Sequence, residues 1–85
     1  MDWDNLRYFL EVARCQRISV AAQRLGVQHS TVARRIQALE QELGLRLFHK
    51  STVSGYSLTS EGQNLQQRME PVESRLLAAR DAITG

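Results

Sequence analysis

The feature that most restricts how this chain can fold is a pair of short apolar periodicities meeting at Gly26. Upstream, Ala21, Ala22 and Leu25 share one side of a helix predicted over Val20 to Leu25, with Ser19 as its cap. Gly26 ends that helix, because it can take the left-handed conformation without a Cβ clash. After a turn of about three residues, Val32, Ile36, Leu39 and Leu43 repeat every four and three positions before Gly44 closes a further helix. Alanines on the first helix let the second approach closely. Two helices joined by so short a Gly-containing turn have the outline of a helix-turn-helix.

The flanking segments complete a small domain. Asp2 or Asp4 can cap an opening helix that buries Leu6, Phe9, Leu10 and Ala13. Beyond Gly44 the helical period is lost, and Leu47 to Lys50 and Tyr56 to Leu58 read as short strands around the turn-forming stretch Ser51 to Gly55. Thr59 or Ser60 then caps a last helix reaching about residue 83, with Ser60 and Gln63 at capping-box spacing. The predicted fold is mainly α: a winged helix-turn-helix head over 1–58, made of three helices and a β-hairpin wing, then a long C-terminal helix over 59–85.

That last helix carries Leu65, Met69, Val72, Leu76, Ala79 and Ile83 in an unbroken alternation of four and three. The three preceding helices bury one another's faces, and a stripe of this length exceeds what they can cover. A partner helix is expected, giving a homodimer through 60–83. Pro71 opposes it locally, since it removes the bond to the Gln67 carbonyl and favours a kink at a cost of up to about 3 kcal/mol.

Composition narrows the function. Eighty-five residues suffice for one modest core and no second domain. The single Cys15 cannot form an internal disulfide and reads as a small buried side chain. No signal peptide and no apolar run of membrane-spanning length occurs, so a cytoplasmic, nucleoid-associated location and no membrane partner are expected. His29 and His49 with one Cys give no metal-ligand spacing, and no cofactor is implied. Neither a Gly-rich phosphate loop nor a nucleophile–base constellation is present, which argues against an enzyme.

The net charge of +2 decides nothing, but its placement does. Residues 1–58 carry eight Arg and Lys against five acids, whereas 59–85 carry three against four. Between Glu11 and Glu40 no acid occurs while Arg14, Arg17, Arg24, Arg34 and Arg35 do. Such a concentration suits an approach to phosphates, with a solvated basic face as the alternative.

The ordered set Leu6-Arg7-Tyr8-Phe9, Ala21-Ala22 with Leu25, Val32, Arg34, Ile36, Leu39-Glu40, Gly44, Leu47-Phe48, and Leu58-Thr59 with Gly62 resembles the N-terminal domain of LysR-type transcriptional regulators. The resemblance implies a DNA-binding head that regulates bacterial transcription. It further implies a dimer with antiparallel linker helices, placing two heads on double-stranded DNA with an interrupted inverted repeat. A small-molecule effector would act only through a C-terminal domain for which 85 residues leave no room, so a head separated from a larger parent is expected.

Within that frame the recognition helix is 28–41, entering the major groove, and the wing is 49–56, near the minor groove or the backbone. Gln28, His29, Ser30, Thr31 and Arg34 are the residues best placed for bases. Arg34 can fork onto a guanine or hold a phosphate, and Gln28 can pair with an adenine. His29 is a DNA contact or a cap. Arg17, Ser19 and Arg35 are candidate phosphate binders, as are Lys50, Ser51 and Ser54 on the wing, while Tyr56 reads as packing. The chain departs from the family pattern at Gln28-His29, where Ser or Thr followed by Gln is usual, and at Ala33, where a Ser is usual. Its wing also lacks an Arg-rich tip. A protein-interaction module that kept this shape without DNA binding is the rival.

Overall fold

The computed structural model describes residues 1–85 and orders them as α1 (Trp3–Cys15), α2 (Ile18–Leu25), α3 (His29–Leu43), β1 (Phe48–Ser51), β2 (Gly55–Leu58) and α4 (Ser60–Thr84). The apolar periods fold as their spacing demands. Phe9, Leu10 and Val12 of α1, Val32, Ile36 and Leu39 of α3, and Leu47 and Phe48 at the hairpin are all fully buried. Ala21 and Ala22 are buried too, which lets α2 lie close against its neighbours. The Phe9 and Phe48 rings pack tilted at 5.4 Å between centroids, and Tyr56 meets Phe48 edge-on at 5.5 Å, so the hairpin is joined to the helices by aromatic contacts.

Helix ends follow local chemistry, with two differences from the sequence reading. Asp2 caps α1, its carboxylate accepting from the Asp4 N–H at 2.8 Å. α2 begins at Ile18 with Arg17 at the cap in extended conformation, so Ser19 stands inside the first turn and caps nothing. Ile18 is half-buried against the core, and that packing draws the helix two residues earlier than hydroxyl capping would. At α4, Thr59 is the cap: its hydroxyl oxygen accepts from the Gly62 N–H at 3.0 Å and donates to the Arg46 carbonyl at 2.7 Å. The Ser60–Gln63 capping box does not form; the Ser60 hydroxyl donates to Glu61 instead. Thr59 wins because it is buried and tied to the hairpin, its own N–H reaching the Leu47 carbonyl at 2.9 Å.

β1 and β2 pair antiparallel from Phe48 opposite Leu58 to Ser51 opposite Gly55. This ribbon is anchored to the α1–α2 junction. The Tyr56 N–H donates to the Gln16 carbonyl at 2.8 Å, and Arg17 donates to the Val53 carbonyl at 2.8 Å. Gly55 lies so close that a Cβ there would sit 2.2 Å from the Gln16 oxygen.

α4 runs unbroken through Pro71. Its first half lies against the head, where Leu65 and Met69 pack half-buried on the core. The rest stands clear: Val72, Leu76 and Leu77 are 41%, 47% and 43% exposed, and Ile83 is 86% exposed. Two of the six stripe residues thus serve the chain's own core, and the outer four remain uncovered.

Candidate nucleic-acid interface

α3 presents a buried and an open side. With Val32, Ile36 and Leu39 inward, Gln28, His29, Ser30, Arg34, Gln37 and Gln41 are exposed, while Thr31 and Ala33 are half-buried beside them. No side chain caps α3 and no acid lies in its first turn, so its positive N-terminal dipole end is left uncompensated next to these residues.

The arginines of the acid-free run divide sharply. Arg14 reaches Glu70 at 2.8 Å, Glu73, and Glu11 at 3.6 Å; Arg24 lies 3.5 Å from Glu11. The hydrogen bond to Glu70 heads the interactions that hold Arg14 more firmly protonated than a free guanidinium. Arg35 turns toward α1, donating to the Asn5 side chain at 3.1 Å, 3.6 Å from Asp2 and over the Tyr8 ring. Arg17 is exposed but holds the wing tip through Val53. Arg34 alone of the five makes neither a hydrogen bond nor an ion pair within the chain.

Ser19 is exposed in the first turn of α2. On the wing, the Lys50 ammonium sits 5.6 Å over the Tyr56 ring, and Ser51, Ser54 and Lys50 are exposed. The Ser51 hydroxyl oxygen is occupied within the turn, accepting from the N–H groups of Val53 at 3.1 Å and Ser54 at 3.2 Å. The tip residue Val53 is 81% exposed. Burial raises the Tyr56 phenol above its ordinary value, with Glu40 adding to it, consistent with a packed ring. Burial likewise raises the Cys15 thiol, helped by its bond to Glu11, so it stays protonated.

The structure adds one cation the sequence reading missed. Arg46 is exposed and unpaired, and with Lys50, Gln37 and Gln41 it lines a polar concavity of about 360 Å³ between α3 and β1. Its backbone is fixed from both sides: Thr59 bonds its carbonyl, and the Glu40 carboxylate accepts from the Leu47 N–H at 2.8 Å. No local pattern reveals this, because both anchors come from other elements. No group of three or more His, Cys, Asp or Glu side chains stands together, and no helix is long and apolar enough to cross a membrane.

Comparison with known proteins accords with this geometry. Residues 3–63 match the family model of the bacterial regulatory helix-turn-helix proteins, lysR family. The chain is 42% identical over 76 residues to the HTH-type transcriptional regulator YofA of Bacillus subtilis, covering 89% of this chain and 26% of that protein. It is 45% identical over 62 residues to ClcR of Pseudomonas putida, covering 73% of this chain and 21% of the relative. It therefore spans about a quarter of the length of such relatives, which are named as transcriptional regulators rather than as enzymes.

Among solved structures, the BenM DNA-binding domain in complex with catB site 1 DNA superposes with a TM-score of 0.87 at 30% identity, covering 95% of this chain and 86% of that one. The CbnR DNA-binding domain in its DNA complex gives 0.84 at 33% identity, with 96% and 91% covered. Fold and sequence agree over nearly the whole length, and the chain belongs to the LysR family of bacterial regulatory helix-turn-helix proteins.

Proposed function

We propose that residues 1–58 form a head that binds double-stranded DNA with α3 in the major groove and the wing against the minor groove or the backbone. Residues 59–85 pair two heads on an interrupted inverted repeat, and the assembly regulates transcription in the cytoplasm. The observation that carries this reading is the open side of α3, where Arg34 projects without an internal partner beside exposed Gln28, His29 and Ser30. Its support is the likeness to the BenM and CbnR domains, both solved on DNA. Arg46 and Lys50 extend the same side with positive charge. Control by an effector would reside in a part of the parent protein beyond these residues.

Affinity for a duplex of random sequence, measured by fluorescence anisotropy, is expected to fall steeply with salt, by a slope of about 0.9 for each phosphate neutralised. A flat response, or no binding at low salt, would favour an interaction module of the same shape. Arg34→Ala is expected to cost on the order of 1–3 kcal/mol and to relax preference at one base pair. An equal loss on all sequences would reassign Arg34 to a phosphate.

A further inference from the structure

Every contact between the head and α4 ends near the middle of that helix, and the last of them is electrostatic. Arg14, near the C-terminus of α1, reaches across to Glu70 at 2.8 Å and to Glu73, which lie one turn apart on α4. The side chain of Glu73 is 15% exposed and that of Arg14 34%, so water screens this cluster less than an open ion pair. Glu11, on the same side of α1, steadies the guanidinium at 3.6 Å and lies 3.5 Å from Arg24. From residue 74 onward every side chain is exposed, and nothing else holds the helix.

The near end of α4 is fixed by different means. Thr59 caps it onto Arg46, and Gly62 rests against Leu47 with no room for a Cβ. Leu65 and Met69 rest half-buried on the core beyond that end, but apolar contact is not directional and leaves the rod able to tilt unless a directed bond also holds it at a second point. Glu70 and Glu73 lie about 15–20 Å along the helix from Ser60, at 1.5 Å per residue, and supply that point.

Resting on the DNA-binding dimer proposed above, we infer that Arg14 is a positioning residue: its bridge to Glu70 and Glu73 sets the angle between head and α4, and thereby the half-site spacing the dimer accepts. A tilt change of about 10° over half of the molecule's 42 Å length moves α3 by roughly one base-pair step, about 3.4 Å of duplex axis. Arg14 itself has no need to touch DNA. The arrangement is specific to these side chains, since a shorter or uncharged residue at 14 cannot span two carboxylates on a neighbouring helix, and its loss leaves Glu73 half-sheltered without a cation.

Two readouts test this with Arg14→Gln and with the charge swap Arg14→Glu combined with Glu70→Arg and Glu73→Arg. The first needs neither DNA nor pairing. Spin labels at Ala38→Cys and Ala82→Cys, in a Cys15→Ser background and diluted into unlabelled chain, report the distance from head to helix tip. A narrow distribution is expected for the parent, a broadened one for Arg14→Gln, and a narrow one again for the swap. An unchanged distribution in Arg14→Gln overturns the inference.

The second readout uses duplexes selected from a random library, presented as one half-site or as two at spacings stepped by single base pairs. Arg14→Gln is expected to bind the single half-site as the parent does, while losing about tenfold at the optimal spacing and gaining at its neighbours. A sharp optimum retained, or equal loss on single and paired sites, overturns the spacing role. Should the parent bind no duplex at all, the DNA reading fails, while the distance measurement still decides whether Arg14 holds the helix.

Discussion

Gly62→Ala is expected to lower stability by about 3 kcal/mol, read as a drop in denaturant midpoint at unchanged slope. Helix propensity alone predicts the opposite sign, because Ala is favoured over Gly inside a helix by about 1 kcal/mol. The collision decides it. A Cβ at 62 would stand 2.2 Å from the Leu47 carbonyl oxygen and 2.9 Å from a Leu58 methyl. The oxygen is backbone and is already held by the Thr59 N–H at 2.9 Å, so it cannot move aside without breaking that bond. A domain of this size has a total stability of about 5–10 kcal/mol, which makes the loss a large fraction of it. Gln63→Ala, at an exposed neighbour whose side chain makes no hydrogen bond, is the control and should change stability by less than about 0.5 kcal/mol. Equal behaviour of the two variants would show that α4 can lift from Leu47 freely.

The second large effect concerns pairing. On the proposed dimer, Leu76→Glu sets a charge within the uncovered stripe between Val72 and Ala79, where two antiparallel copies would bury it. Sedimentation is expected to show a monomer, and affinity for a paired half-site to fall by about 10²- to 10³-fold, because the second head no longer binds at the effective concentration its tether provides. Affinity for a single half-site should hold, since Leu76 is far from α3 and 47% exposed in the isolated chain. A dimer that survives the substitution would mean that the stripe beyond Met69 is not the pairing surface.

Much of the architecture is legible in the sequence because burial has a period. Val32, Ile36 and Leu39 could only face inward together, and Gly26 and Gly44 marked where the helices stop, both with φ near 70°. Helix starts were less legible. Hydroxyl side chains at 19 and 60 competed with packing of Ile18 and with the hairpin bonds of Thr59, and in both cases the tertiary contact prevailed. The candidate site is harder still. Five arginines look alike in the acid-free run, yet Arg14 meets carboxylates 56 and 59 residues away and Arg35 a carboxamide 30 residues away. Only Arg14 has a local partner, Glu11 one turn earlier on α1; nothing local separates Arg35 from Arg34, and Arg46 is set by bonds from Thr59 and Glu40 on other elements.

The anchoring of the wing to Gln16 and Arg17 has a consequence for any groove that receives it. A ribbon of two four-residue strands would barely persist alone. Here it is stitched to the junction between α1 and α2, and thus to the body that carries α3. These two bonds, to Gln16 and from Arg17, restrain the separation of the wing from α3, so on the proposed complex a duplex contacted by both would have to deform to suit them. Base steps that bend or narrow cheaply would then be favoured even at positions no side chain reaches, and part of the preference would be written in the mechanics of the nucleic acid itself.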